Sequence, residues 1–291
     1  MSQSAENLLS ARVTVRYPGK APVLSAVALD IAPGEILGLV GQSGSGKSTL
    51  ALAILGLLGR KRATVEGSIV FQGTDLLKMP ERDLRSLRGR SLSLVLQSPL
   101  ASLNPALRIR TQLREAWRAH ADSAGSDCEA AIRSAMTSVS LPSDAEFLRK
   151  YPAQLSVGQA QRVLIAMAVM HRPALLVADE ATSALDVITQ SEILELFAHL
   201  NRQIGMSILY ISHDLPSVAG ICRRIAILHE GEIVECGLTE QTFASPIHPY
   251  TRRLMSSLPR VPARIEDRPS KAHSAAAGVT PARSSSHCLP R

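Results

Sequence analysis

Nine residues, Gly41-Gln-Ser-Gly-Ser-Gly-Lys47-Ser48-Thr49, constrain this chain more than any other stretch. They fit the spacing G-x-x-x-x-G-K-[ST] and stand between an apolar run that reads as a buried strand, Ile36–Val40, and a run that reads as a helix, Leu50–Leu58. That context predicts a cradle for phosphate. Glycines let the backbone bend tightly and turn several N–H groups inward, and the helix that follows aims its partial positive end at the anion. Gly41, Ser43, Gly44, Ser45, Gly46, Lys47, Ser48 and Thr49 are therefore candidate contacts to a nucleoside triphosphate. Lys47 supplies a full charge near the terminal phosphates and Ser48 is a candidate magnesium ligand. A merely flexible Gly/Ser loop is the plainer alternative, but Lys-Ser-Thr at a strand-to-helix junction argues against it. The motif leaves open what the triphosphate is used for.

Composition narrows the field. A chain of 291 residues that is 45% hydrophobic can bury one large domain or two modest ones. No apolar run nears the roughly 20 residues needed to cross a bilayer, and Met1–Asn7 does not read as a secretory signal, so the expectation is a cytosolic chain whose membrane role needs a partner. Cys128, Cys222, Cys236 and Cys288 are scattered without a C-x-x-C pair, which fits reduced thiols and neither a disulfide framework nor a clustered metal site. Of the net charge of +7, +4 lies in residues 260–291, a Ser/Ala/Pro/Arg-rich tail expected to be disordered. With aromatic content at 3% as well, a nucleic-acid surface is not expected.

Strand signals open the chain at Ala11–Tyr17 and Val23–Ile31, split by the Pro18-Gly19 turn, and recur at Thr64–Phe71. Tyr17 stands where its ring could stack on a base, or pack on the sheet surface. Ser91–Leu96 reads as a central strand ending at Gln97, a candidate to touch the metal or the attacking water unless it merely caps the strand toward solvent. From Leu100 to about residue 160 helical composition takes over, as an insertion would. It closes on Tyr151-Pro-Ala-Gln-Leu-Ser156-Val-Gly158-Gln159, with Ser156 and Gly158 at the start of a long apolar helix over Ala160–His171, a second anion-seeking helix end.

Ala174–Ala178 is a buried strand closed by Asp179-Glu180. Adjacent carboxylates at a strand end point in different directions, so Asp179 is assigned to magnesium and Glu180 to the reacting water, with an acidic turn as the structural alternative. Val187–Ile204 is a helix, and Met206–Ile211 a strand ending at His213, which could donate to a terminal phosphate. Ile225–His229 and Glu232–Cys236 form a hairpin. A lone histidine would more often be structural, but Gln97, Asp179, Glu180 and His213 each end a predicted strand on the side of the phosphate loop.

Taken in order, Tyr17, Gly41–Thr49, Gln97, Leu155-Ser-Val-Gly-Gln159, Leu175–Glu180, Ser183-Ala-Leu-Asp186 and His213 resemble the A-loop, Walker A, Q-loop, signature, Walker B, D-loop and switch histidine of the ATP-binding subunits of ABC transporters. The resemblance covers residues 8 to 259. It implies a P-loop NTPase (RecA-like) α/β core with an N-terminal antiparallel β subdomain and a helical insertion at about 100–160. Gln97-Ser-Pro-Leu-Ala-Ser-Leu-Asn-Pro105 and His248-Pro-Tyr-Thr-Arg-Arg253 resemble the oligopeptide/dipeptide/nickel importer branch. By resemblance, the cofactors are ATP and Mg2+, with Ser48, Gln97 and Asp179 at the metal and Lys47, Gln97, Glu180 and His213 in catalysis. Two subunits would sandwich two ATP molecules, Ser156, Gly158 and Gln159 serving the partner's nucleotide. The implied partners are a second ATP-binding subunit, preferably a different one, two integral permease subunits and an extracytoplasmic substrate-binding protein. The implied place is the cytoplasmic face of the inner membrane, peripherally bound.

The chain departs from the family pattern in three places. Val157 stands for a signature glycine, Ala160 for a commonly basic residue, and Ser98 for the acidic residue usual after the Q-loop glutamine. Val157 would compromise the partner's site if that position needs φ > 0, and is tolerated if it is simply the first turn of a helix. The cysteines of a cluster found near the C-terminus in some branch members are missing. Two other functions fit less well: a soluble ABC ATPase acting on nucleic acid or ribosomes, which would carry two cassettes or long insertions, and a non-hydrolysing nucleotide-gated subunit, against which Glu180 and His213 argue.

Overall fold

Alternating side-chain burial along β1 (Leu9–Arg16) and β2 (Pro22–Ile31) makes them a half-solvated antiparallel pair, in a computed structural model that describes residues 7–59, 62–121 and 127–257. β3 (Ile36–Val40) is buried at all five positions and feeds the phosphate loop and α1 (Lys47–Ile54). β4 (Thr64–Phe71) returns antiparallel to β1. Thr74 and Asp75 pair back on it as the short strand β5 (Thr74–Asp75), giving the sheet order β2-β1-β4-β5.

After α2 (Glu81–Leu87) comes β6 (Leu92–Val95), followed by a helical run: α3 (Pro99–Ser102), α4 (Ile109–Arg118), α5 (Cys128–Ser138), α6 (Ala145–Arg149) and α7 (Val157–Val169). The chain then re-enters the sheet as β7 (Leu175–Asp179), passes through α8 (Val187–Ile204) to β8 (Ser207–Ser212), and continues with α9 (Leu215–Ile221), β9 (Arg224–His229), β10 (Glu232–Leu238), α10 (Thr239–Ala244) and α11 (Pro249–Ser256).

The second sheet runs β10-β9-β3-β8-β7-β6, parallel except for the β9–β10 hairpin. Its central strands are continuous apolar runs, buried on both faces as a covered parallel sheet requires. The register aligns their carboxyl ends: Val40 lies beside Ser212, Asp179 beside Ile211 and Val95 beside Ala178. Whatever follows those rungs is therefore delivered to one edge, where open α/β sheets bind ligands.

Most boundaries fall within a few residues of the sequence reading. The first helix starts at Lys47 and ends before Gly56, whose φ of 61° is left-handed, so it is displaced toward the loop relative to Leu50–Leu58. α9, four-residue α3 and β5 have no counterpart in that reading. The chain divides into Met1–Ser257 and Leu258–Arg291. The second unit, and with it the disorder expected for the basic tail, lies outside the described residues. Among the described residues no helix is long and apolar enough to cross a membrane, and Cys128, Cys222 and Cys236 are free thiols.

Candidate active site

The loop between β3 and α1 closes through glycines used in two ways. Gly46 turns at φ 107° with the Leu24 side chain 2.5 Å from where a Cβ would stand, and at Gly41 a Cβ would meet the Leu228 carbonyl oxygen at 2.2 Å. At Gly41 a side chain would have to displace backbone, and at Gly46 the left-handed φ would strain any side chain. α1 begins at Lys47 with no side-chain cap, so its first N–H groups remain available to an anion. A cavity of about 180 Å³ opens there, lined by Val23, Ser43, Gly44, Gly46, Lys47, Ser48, Thr49 and Glu180. Val23, from β2 in the other sheet, is the member no local sequence signal could supply.

Lys47 is buried, and its ammonium donates to the carbonyls of Gly41 at 2.8 Å and Gln42 at 2.9 Å. An ammonium has three donors, so one remains for a phosphate oxygen. Burial pushes its pKa down, while the nearby carboxylates of Glu180 and Asp179 oppose that shift.

Asp179 closes β7 and is only 9% exposed. Burial, with some help from Glu180, pushes its carboxyl up against the opposing pull of a hydrogen bond from Ser48 and the charge of Lys47. Its Oδ1 is buried and has no hydrogen-bond partner. A buried carboxylate oxygen without a donor, beside a serine hydroxyl at the mouth of a phosphate cradle, is a hard-oxygen pair of the kind Mg2+ takes along with phosphate and water. The donor set fits the ion.

Glu180 has φ 49°, a left-handed backbone uncommon outside glycine and asparagine. Its N–H donates to the Ile211 carbonyl at 2.9 Å, and its own carbonyl accepts from the Ser183 N–H and hydroxyl at 3.1 and 3.0 Å. This turn separates the neighbouring carboxylates: Asp179 faces the Ser48 side, while Glu180 Oε1 lies 3.3 Å from His213 Nδ1. Thus Lys47, Ser48, Asp179, Glu180 and His213 are brought together. Gln97 is exposed on the bend after β6, and Tyr17 is half-buried against the core just past β1; neither lines the phosphate cavity.

Ser156, Gly158 and Gln159 lie at the start of α7, apart from that cavity. Ser156 is its N-cap in a reciprocal box: the Ser156 hydroxyl accepts from Gln159 N–H, and Gln159 Oε1 accepts from Ser156 N–H, each at 3.1 Å. The hydroxyl proton of Ser156 stays available to an outside acceptor. Val157 is the first helical residue, without the left-handed backbone that would strain a β-branched side chain, and is 39% exposed. Gly158 packs so closely on α8 that a Cβ would meet the Thr189 methyl at 2.7 Å.

Two families of known proteins match parts of the chain. Residues 24–183 match the family described as ABC transporter, and residues 234–283 the family described as Oligopeptide/dipeptide transporter, C-terminal region. The Peptidoglycan transport ATP-binding protein YejF of Agrobacterium fabrum is 44% identical over 235 residues, covering 80% of this chain and 43% of that protein, so the chain spans less than half of that relative. The Oligopeptide transport ATP-binding protein OppD of Escherichia coli is 38% identical over 269 residues, 91% of this chain and 79% of that one. Among solved structures, a dimeric ATP-binding cassette in a post-hydrolysis state bound to ADP and Pi superposes with a TM-score of 0.68 at 27% identity, over 79% of this chain and 98% of that chain.

Proposed function

Since the chain belongs to the ABC transporter family of ATP-binding proteins, we propose that it hydrolyses ATP at the Lys47–Glu180 cleft to drive uptake of peptides or a related small solute through a membrane complex. The observation that carries this reading is the cluster of an unpartnered buried Asp179 oxygen, the Ser48 hydroxyl, the Lys47 ammonium and the Glu180–His213 pair at the end of three adjacent strands.

In this reading Gly41 to Thr49 wrap the phosphates with backbone N–H groups, and Lys47 neutralises charge on the terminal phosphates. Ser48 and Asp179 would hold Mg2+, with Gln97 the third candidate; bound there, the ion screens phosphate charge. Glu180 orients water and accepts its proton, and His213, 3.3 Å from the Glu180 carboxylate, donates toward the terminal phosphate. Phosphoryl transfer depends mainly on positioning and charge stabilisation, and this constellation supplies both. Tyr17 would stack on the base.

The separation of Ser156, Gly158 and Gln159 from the Lys47 cavity supports the shared-site arrangement, in which they serve ATP held by a second ATP-binding subunit. The exposed apolar pair Val187 and Ile188, 82% and 74% exposed beside Asp186, suits burial against that subunit. The second subunit is proposed to be a different one, with any asymmetry falling on the partner's phosphate loop. Two permease subunits, an extracytoplasmic binding protein and a peripheral place on the cytoplasmic face of the inner membrane complete the assembly. Peptide is the favoured solute because the peptide-transport relatives span most of this chain.

The test is ATP binding and hydrolysis by the full chain with and without Mg2+, beside Lys47→Ala. Hydrolysis that needs Mg2+ and is lost with Lys47 is expected; hydrolysis indifferent to both would reject the site.

A further inference from the structure

The segment His248-Pro-Tyr-Thr-Arg-Arg253 takes no part in the chemistry above, yet it reaches the phosphate loop. The Gln42 N–H donates to the phenol oxygen of Tyr250 at 3.2 Å, across 208 positions of sequence, and Tyr250 is only 4% exposed. The other end of the same peptide unit faces Lys47: the Gly41 carbonyl accepts from its ammonium at 2.8 Å. A trans peptide is planar with its N–H and C=O on opposite edges, so fixing one end aims the other. Gly41 is itself pressed against the Leu228 carbonyl. The loop therefore rests on the end of β9 and on Tyr250 together.

Tyr250 is fixed in turn. The ring of His229, the last residue of β9, stacks on it at 3.7 Å with the planes 11° apart. His248 Nδ1 caps α11 by accepting the Tyr250 N–H at 3.2 Å. The Glu235 carboxylate on β10 accepts the N–H groups of Ile247 and His248 at 3.0 and 2.9 Å. A tyrosine serving only as core would need its ring and not its hydroxyl; here the hydroxyl meets the first peptide of the phosphate loop.

We propose that Tyr250 is a positioning residue for nucleotide binding: its hydroxyl fixes the Gly41–Gln42 peptide so that the Gly41 carbonyl holds Lys47 in register with the phosphates, and the C-terminal strand and helix thereby set the loop's affinity for ATP. The proposal rests on the ATP reading above.

The experiment is equilibrium ATP binding and steady-state hydrolysis by the full chain carrying Tyr250→Phe, which keeps the stacked ring and removes only the hydroxyl that accepts from Gln42. Kd and KM should rise together by about 3- to 10-fold, the effect of one lost hydrogen bond, while kcat at saturating ATP stays within about twofold. Affinity equal to wild type, or tighter, overturns the proposal, as does a loss confined to kcat. Lys47→Ala measured alongside separates the two readings. Binding lost in Lys47→Ala but unchanged in Tyr250→Phe rejects the tyrosine's role alone, whereas unchanged binding in Lys47→Ala rejects the ATP site itself. Hydrogen exchange in nucleotide-free wild type needs no variant: the Gln42 amide should be protected, and exchange at the rate of an open loop counts against the proposal.

Discussion

Glu180 and His213 meet across the ends of β7 and β8, carboxylate Oε1 3.3 Å from ring Nδ1. The contact depends on the left-handed turn at Glu180, which swings its side chain away from Asp179. Glu180→Gln keeps the size and the hydrogen bond to the ring but removes the proposed base. Turnover should fall by about 10²- to 10⁴-fold with ATP affinity unchanged, as read by steady-state hydrolysis and equilibrium binding. Undiminished turnover would take the catalytic role from Glu180.

Asp179 gives the site a pH signature. Burial raises its pKa above the ordinary 3.8, so without metal the folded chain holds this proton more tightly than the unfolded one. Its contribution to stability is full below pH 3.8 and is lost as pH rises through the raised value. The melting temperature of wild type should therefore drop relative to Asp179→Asn over that interval in metal-free buffer. Mg2+ with ATP should recover the loss in wild type and not in the variant. A difference between the two proteins that does not change with pH would contradict the assignment.

The start of α7 is locked to the start of α8. Thr189 donates its hydroxyl to Asp186 at 2.7 Å, and its methyl fills the space where Gly158 would carry a Cβ. Gly158→Ala should cost about 1–3 kcal/mol, as overpacking does. Thr189→Ser, which deletes the methyl and keeps the hydroxyl, should restore most of it in the double variant. Denaturant unfolding of the four proteins in the cycle decides, and strictly additive effects would refute the contact.

Much of this site was legible because its parts are local. β3, β7 and β8 are short apolar runs that stop at a residue with chemistry, and an aligned parallel sheet has to bring those stops to one edge. The Ser156/Gln159 box is likewise written within four positions. What stayed hidden is non-local. Val23 lines the phosphate cavity from another sheet, Tyr250 reaches Gln42 from the far end of the cassette, and Thr189 sets the size limit at Gly158; no periodicity records such contacts. α9 and four-residue α3 are too short to show a helical period. Nor could the sequence show that Val157 occupies an unstrained helical turn, since that depends on where α7 begins.

Coupling of ATP hydrolysis at Glu180 to solute uptake is the core of the proposed function. Its most direct test is ATP-dependent uptake of a labelled oligopeptide by vesicles holding the complex purified from membranes through this chain, with wild type and Glu180→Gln compared at equal ATP occupancy. Uptake by wild type and only background accumulation by the variant are expected. Uptake by the Glu180→Gln complex at the wild-type rate would contradict that coupling.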